Sequence, residues 1–366
     1  MLKNKKLLFI CHLPPPVHGS SMVGQYIKDS EIVNSTFNSK YINLTTSKKI
    51  DEIGKKPLLK VKRYISILFS VFISLIKFKP EVVYFAITAK GIGFYKDFPI
   101  AILAKIWGKK LVLHYHNKGV INRQQNLVDH LMYRSLFKNT KVILLSELLY
   151  KDVSKYVKQE DILICPNGIP VAGDLQESTL KVNDIPQLLF LSNLIESKGV
   201  FILLKALKIL NNEGVVFNCN FVGGEGDISL KQLNQKINNL KLHECVSYLG
   251  KKFDNDKYEI LQKTNIFILP TYYYNECFPL VLLEAMQFGL PIISSNEGGI
   301  PNIVKDSETG FIVEKQKPKQ LAEKIKWLIE HPKEARIMGE KGQKYFLEQY
   351  TLEVFEKRIT HILNQI

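Results

Sequence analysis

Glu276 and Glu284 stand eight residues apart in the run NECFPLVLLEAMQFGLPIISSNEGGIP, residues 275–301. Between them lie Pro279 and an apolar stretch, and Gly298-Gly299 follows. Pro suits the first turn of a helix, where its missing N–H would be unpaired anyway. Pro279 is therefore read in the first helical turn, with Glu284 about a turn and a half in. The N–H groups of 279–281 and the helix dipole then favour an anion at the helix mouth. A phosphate there, with a carboxylate on each side, suits the binding of an activated sugar nucleotide. Lys198, in SNLIESKGV (192–200), stands near another helix start and can neutralise a diphosphate. It is also one of 45 lysines, so its position rather than its type singles it out.

Weaker candidates surround these. In His114-Tyr115-His116-Asn117, strand alternation puts both imidazoles on one face. Only the one at the strand tip should reach a ligand, so His116 is chosen, as a neutral partner for a sugar hydroxyl or the backbone. The run PPVHGSS (15–21) offers Gly19 and Ser20 for close backbone approach, but it lacks G-x-G-x-x-G. An ordinary strand-to-helix turn explains it equally well. FVGGEGD (221–227) is a tight turn, in which Gly224 would make backbone contacts to a nucleotide at most. Asp254-Asn255-Asp256 resembles a D-x-D metal clamp, yet it reads as a helix-entry cap. Nothing nearby completes a metal ligand set. Asp129-His130, in an expected helix, reads as surface or core.

The elements that must position these residues alternate along the chain. Strands are expected at 6–13, 41–44, 81–86, 110–116, 141–146 and 162–166, with helices at 58–78, 98–107, 124–137 and 147–157 between them. A turn cluster, PNGIP (166–170), and a polar linker, 171–186, separate these from a second series of strands: 187–192, 216–222, 246–250, 266–270, 291–295 and 310–313. Three helices, 318–330, 332–349 and 352–365, close the chain. Short apolar strands separated by helices indicate an α/β architecture of doubly wound parallel sheets covered on both faces. Two domains are expected, 1–170 and 187–345, with 346–366 as a closing helix and a ligand cleft at the carboxyl ends of the strands.

Composition narrows the function classes. The 366 residues suffice for two cores, and the five cysteines are scattered without a C-x-x-C pair. That suits a reducing, cytoplasmic setting and argues against a disulfide scaffold or a zinc site. The net charge of +15 rests on lysine, with only five arginines. Specific nucleic-acid readers favour arginine, so no nucleic-acid partner is expected and an anionic lipid surface is the better one. The start, MLKNKKLLFICHLPPP, reads as a first strand rather than a signal peptide. No apolar stretch reaches the ~20 residues that span a bilayer. The segment 58–79, LLKVKRYISILFSVFISLIKFK, reads either as a buried helix or as an interfacial one. In a mixed case its apolar residues face inward and Lys55, Lys56, Lys60, Lys62 and Arg63 face lipid headgroups.

Together, LSNLIESKG, PNGIP, FVGGEG, ECFPLVLLEAMQFGLPII, EGGIPNIV and ETGFIV resemble, in order and spacing, the retaining glycosyltransferases of family 4 (glycosyl transferases group 1). The resemblance implies the GT-B fold, with the last helix crossing back onto the first domain. It implies that Glu284 binds ribose and Glu276 the donor sugar's hydroxyls. Backbone groups of Phe278, Pro279, Leu280 and Val281 would hold sugar and phosphate, and Lys198 the diphosphate. His116 would sit by the sugar, Gly19 and Ser20 would line the phosphate and acceptor side, and the loop Gly250–Phe253, with Gly250 and Lys252, would border the base. The family commonly has Arg where this chain has Asn193, so the second phosphate cation is missing or supplied elsewhere. Asn302 replaces a common Glu at a peripheral position. The implied reaction needs no cofactor or metal: a sugar passes from a UDP- or GDP-sugar to a glycan, with a polyprenyl-diphosphate-linked acceptor at the cytoplasmic face of a bacterial membrane. A sugar-nucleotide 2-epimerase and a non-catalytic sugar-nucleotide-binding subunit are the alternatives.

Overall fold

The computed structural model describes residues 5–45, 57–172 and 185–366. Lys55, Lys56, the first four residues and most of the expected linker (173–184) lie outside the described residues. The chain forms two compact units, one of residues 1–168 with 352–366 and one of 169–351.

The first unit holds a parallel six-stranded sheet. Its strands are β1 (Lys6–Cys11), β2 (Asn38–Asn43), β3 (Val82–Phe85), β4 (Lys110–Tyr115), β5 (Lys141–Leu144) and β6 (Ile162–Ile164), in the order β2-β1-β3-β4-β5-β6. Central strands such as LLFIC and VVYF are buried on both faces, which is why they read as unbroken apolar runs. The helix Leu352–Gln365 contributes Phe355, Ile359, Ile362 and Leu363 to a core shared with Leu7, Phe9 and Cys11. Lys5 Nζ donates to the carbonyls of Leu363 and Asn364 near the end of that helix, each at 3.2 Å.

The second unit holds β7 (Gln187–Leu191), β8 (Asn218–Val222), β9 (Val246–Gly250), β10 (Ile266–Leu269), β11 (Ile292–Ser295) and β12 (Gly310–Val313), ordered β12-β11-β10-β7-β8-β9. From β7 the chain winds outward through β8 and β9, then restarts at β10 on the other side of β7. This is the strand order of dinucleotide-binding sheets, and its reversal between β7 and β10 opens a crevice at their carboxyl ends. In the first sheet the equivalent reversal lies between β1 and β3.

Several expected boundaries move. Most strands end one or two residues earlier than expected. The helix expected at 98–107 is Gly91–Ile106 and runs through Pro99. The helix expected at 147–157 is a 3-10 turn, Glu147–Leu149, followed by a short helix, Tyr150–Val153. The segment 58–79 is an α-helix, Pro57–Ile73, running into a π-helical turn, Ser74–Phe78. Its Ile67, Val71 and Leu75 are buried, but Leu58, Val61, Ile65, Phe69 and Ile76 are exposed. Of the readings left open, neither the wholly buried helix nor the mixed case with apolar residues inward describes it: the helix is apolar on two faces. Among the described residues no helix is long and apolar enough to cross a membrane.

Candidate functional site

The loops that leave β7 and β10 meet at the crevice of the second sheet. After β7 the chain makes a 3-10 turn, Glu196–Lys198, and enters the helix Val200–Asn212 through Gly199. Gly199 has φ 93°, and a Cβ there would stand 2.3 Å from the Pro270 carbonyl oxygen, so the two loops touch backbone to backbone. The Ser197 carbonyl accepts from Tyr272 N–H at 2.7 Å and from Thr271 Oγ1 at 3.3 Å. This stitching delivers Lys198 Nζ to Glu276 Oε2 in a tight, largely buried ion pair. The ammonium also lies 4.9 Å from the Tyr273 ring centroid.

Glu276 is itself held from below. Gly298, at φ 55°, passes so close that a Cβ would stand 2.2 Å from the Glu276 carbonyl oxygen. Glu297 accepts the Gly298 N–H at 3.0 Å and pairs with Lys315 at 2.6 Å. The Gly-Gly pair of the sequence thus buttresses the Glu276 loop.

The helix after that loop is Leu280–Gln287, and Pro279 is its N-cap rather than part of its first turn. Its φ of −69° suits a helix, but its ψ of 118° is extended. Proline has no N–H, so the outward donors at the helix mouth are those of Leu280 and Val281, which lack partners within the helix. Phe278 is buried with its ring 5.6 Å from Tyr350, so its side chain serves the core. Further along, Glu284 Oε1 pairs with Lys257 Nζ at 2.8 Å. Its Oε2 is buried and has no hydrogen-bond partner. A buried acceptor left open this way costs about 1–3 kcal/mol unless a donor arrives, so this oxygen has room for one more hydrogen bond. Lys257 was missed in the sequence because it sits on a separate helix, Asp254–Gln262, whose register toward Glu284 is set by tertiary packing.

The glycine-rich loop after β8 is corrected more strongly. Gly224 N–H already donates to Asn193 Oδ1 at 3.1 Å, Gly223 N–H to the Gly250 carbonyl at 2.9 Å and Gly226 N–H to the Ile228 carbonyl at 3.4 Å. These three amides are satisfied internally, so Gly224 does not offer its N–H to a ligand. Asn193 ties that loop down through its carbonyl oxygen. Gly250 turns the chain at φ 71°, and Lys252 follows it half-buried. Asp254 is not a helix cap: Phe253 holds that position, and Asp254 begins the helix at φ 44° without a capping bond. Asp129 is core, paired with Arg123 at 2.6 Å.

In the first unit, His114 is fully buried and its Nδ1 meets Tyr84 Oη at 2.6 Å. His116, at the tip of β4, is half-buried, with Nδ1 unpartnered. Burial above all, then the neighbouring His12 and His18, pushes its pKa down to about 3. Burial, then Lys96 and His18, pushes His12 down to about 4. Burial lowers His18 as well. All three imidazoles are therefore uncharged at pH 7, able to accept or donate one hydrogen bond at each ring nitrogen. His12 follows β1 as His116 follows β4; position after a strand tip was the signal that could have found it. His18 N-caps the helix Gly19–Asp29 in a capping box with Ser21, and its Nδ1 lies 3.0 Å from Ser20 Oγ. A Cβ at Gly19 would meet nothing within 4 Å, so this glycine leaves an open face rather than a packed one. His116, Gly19 and Ser20 thus gather in the first unit, and the other candidates in the second.

The two doubly wound sheets and the closing helix define a GT-B protein. Residues 171–345, most of the second unit, match the model of the family "Glycosyl transferases group 1". An uncharacterized glycosyltransferase of Methanocaldococcus jannaschii is 26% identical over 64% of this chain and 62% of its own length. The amylovoran biosynthesis glycosyltransferase AmsK of Erwinia amylovora is 28% identical over 57% of this chain and 52% of its own. The chain thus spans between half and two thirds of these relatives. The crystal structure of Anabaena HepE in complex with UDP superposes with a TM-score of 0.77 at 17% identity, covering 99% of this chain and all of that one; at that identity the likeness concerns the fold.

Proposed function

We propose that the protein is a retaining glycosyltransferase that moves a sugar from a nucleoside-diphosphate sugar to a glycan hydroxyl during assembly of a bacterial surface polysaccharide. The observation that carries this reading is the pair of carboxylates on either side of one helix mouth. Glu276 is matched to Lys198, and Glu284 is matched to Lys257 with one oxygen left open. Both flank the crevice where doubly wound sheets bind ligands. The family match of the second unit, the amylovoran assignment of AmsK and the UDP bound by HepE support the same class of donor and product.

In this reading the ribose hydroxyls donate to the open oxygen of Glu284. The diphosphate lies against the N–H groups of Leu280 and Val281 and draws Lys198 away from Glu276, which turns to the sugar hydroxyls. As the anomeric C–O bond breaks, negative charge builds on the leaving phosphate. Donors already aimed at it supply about 3–4 kcal/mol each in comparable sites. The acceptor hydroxyl attacks from the side the phosphate leaves, and the phosphate takes its proton. Glu276 is assigned to the sugar hydroxyls and Glu284 to the ribose, so neither takes the part of the covalent nucleophile of a retaining glycosidase. His116, uncharged, would hydrogen-bond a hydroxyl of the sugar.

The acceptor is proposed to be polyprenyl-diphosphate-linked and met at an anionic membrane. The exposed stripe Leu58, Val61, Ile65, Phe69 and Ile76 recurs at helical spacing, with Lys60, Lys62 and Arg63 on the same helix. Incubation with a panel of UDP- and GDP-sugars tests the donor reading. Slow release of the nucleoside diphosphate from one or more of them is expected. Binding without any release would favour a non-catalytic module, and release of a free 2-epimer would favour an epimerase.

A further inference from the structure

If the donor is a nucleoside-diphosphate sugar, the described site is short of positive charge. Lys198 is matched by Glu276, Lys257 by Glu284 and Lys315 by Glu297, one cation to each carboxylate. The amides of Gly223, Gly224 and Gly226 are already donated within the protein. Position 193, on the loop before Lys198, carries an uncharged Asn.

Lys251 lies over that same spot. A Cβ built on Gly224 would stand 2.1 Å from Lys251 Cε, 3.1 Å from its Nζ and 3.3 Å from Asn193 Oδ1. The Lys251 ammonium and the Asn193 carboxamide therefore converge above Gly224. Gly224 is not among the glycines with positive φ, so its backbone does not require glycine; what its missing side chain provides is room. Lys251 is exposed, and no hydrogen bond or ion pair ties its ammonium to any described residue. Lys252, next to it, is also without a described carboxylate partner, but nothing fixes its ammonium over the loop.

We infer that Lys251 is the second phosphate cation of this protein, reaching over Gly224 to the diphosphate of the bound nucleotide from the place that an arginine at 193 would serve. Resting on the donor reading above, the inference adds a binding residue that the sequence pattern does not reveal. Asn193 fits it: its oxygen fastens the glycine loop, and its small size leaves the lysine a path. An arginine at 193 would compete with Lys251 for one position, so one of the two suffices.

The test is calorimetric titration of the full chain with UDP and GDP and with the matching nucleosides. For the nucleotide that the wild type prefers, Lys251→Met should weaken binding about tenfold, the loss of one charge-assisted hydrogen bond. Affinity for the nucleoside should not change. Lys251→Arg should bind like the wild type, and Asn193→Arg placed in the Lys251→Met background should restore most of the loss. Thermal midpoints monitor folding, and the Arg variant and the double variant keep the proposal open to refutation if the Met variant alone is unstable. Unchanged nucleotide affinity in a folded Lys251→Met protein overturns the inference and leaves the donor reading standing. Equal loss for nucleotide and nucleoside, or failure of Asn193→Arg to restore binding, also overturns it. A wild type that binds no nucleoside diphosphate overturns both.

Discussion

An ammonium and a carboxylate held together away from water constrain each other, because removing one leaves the other buried and uncompensated. Lys198 and Glu276 are such a pair, and the proposed mechanism requires them to part when donor binds. The two roles can be separated by Glu276→Gln, which keeps the shape and frees the lysine. Affinity for the nucleoside diphosphate alone should stay the same or rise a few fold, since the phosphate no longer competes with a carboxylate. Turnover of the sugar nucleotide should fall at least tenfold, because the sugar hydroxyls lose a charged acceptor. Product-release kinetics beside calorimetry would show the split; a parallel loss of both would mean that Glu276 acts only by positioning Lys198. At this scale the sequence is readable where a residue lies on the loop that leaves a strand. Lys198, Glu276 and His116 lie on the loops after β7, β10 and β4, and the apolar runs before them mark those loops. Lys257 and Lys251 could not, since one is an ordinary-looking helix lysine and the other an exposed loop lysine. Only packing shows that they face Glu284 and Gly224.

Elements decide how those residues are presented. The helix mouth at Leu280 was legible from its proline, but the role of that proline was not: ψ, which sequence does not dictate there, makes it the cap. The glycine-rich loop after β8 is a related case. Its composition reads as a tight turn with at most backbone contacts to a nucleotide, and hydrogen bonds to Asn193, Gly250 and Ile228 already use the amides that such contacts would need. The helix Pro57–Ile73 could not be settled by periodicity, because it is apolar both toward the sheet and away from it. Its outward stripe gives a direct prediction. Fully burying an isoleucine or phenylalanine yields about 1.5–3 kcal/mol each. Replacing Ile65 and Phe69 together with glutamate should therefore cut sedimentation with anionic liposomes at least tenfold at low salt, with the thermal midpoint little changed because both side chains are exposed. Equal sedimentation of variant and wild type would remove the stripe from any membrane contact.

Over the whole molecule, the alternation of strands and helices specifies two parallel sheets without naming their strand order. That order is what gives the candidate residues meaning. In the second sheet β10 returns beside β7, so loops 78 residues apart at Lys198 and Glu276 end at one crevice. The motif order resembling a known family supplied this before the structure did, and most fully for the second unit, where the family model also matches. In the first unit the resemblance is loose, and the imidazole cluster of His12, His18 and His116 had to be found in the structure. The central claim is that this crevice holds a nucleoside diphosphate by its ribose at one end. Its most direct test is calorimetric titration of wild type and Glu284→Ala with UDP and GDP. The account predicts micromolar-to-millimolar binding of at least one of them by the wild type, and at least tenfold weaker binding by the folded variant. Equal affinity in the two proteins, or no binding by the wild type, would contradict it.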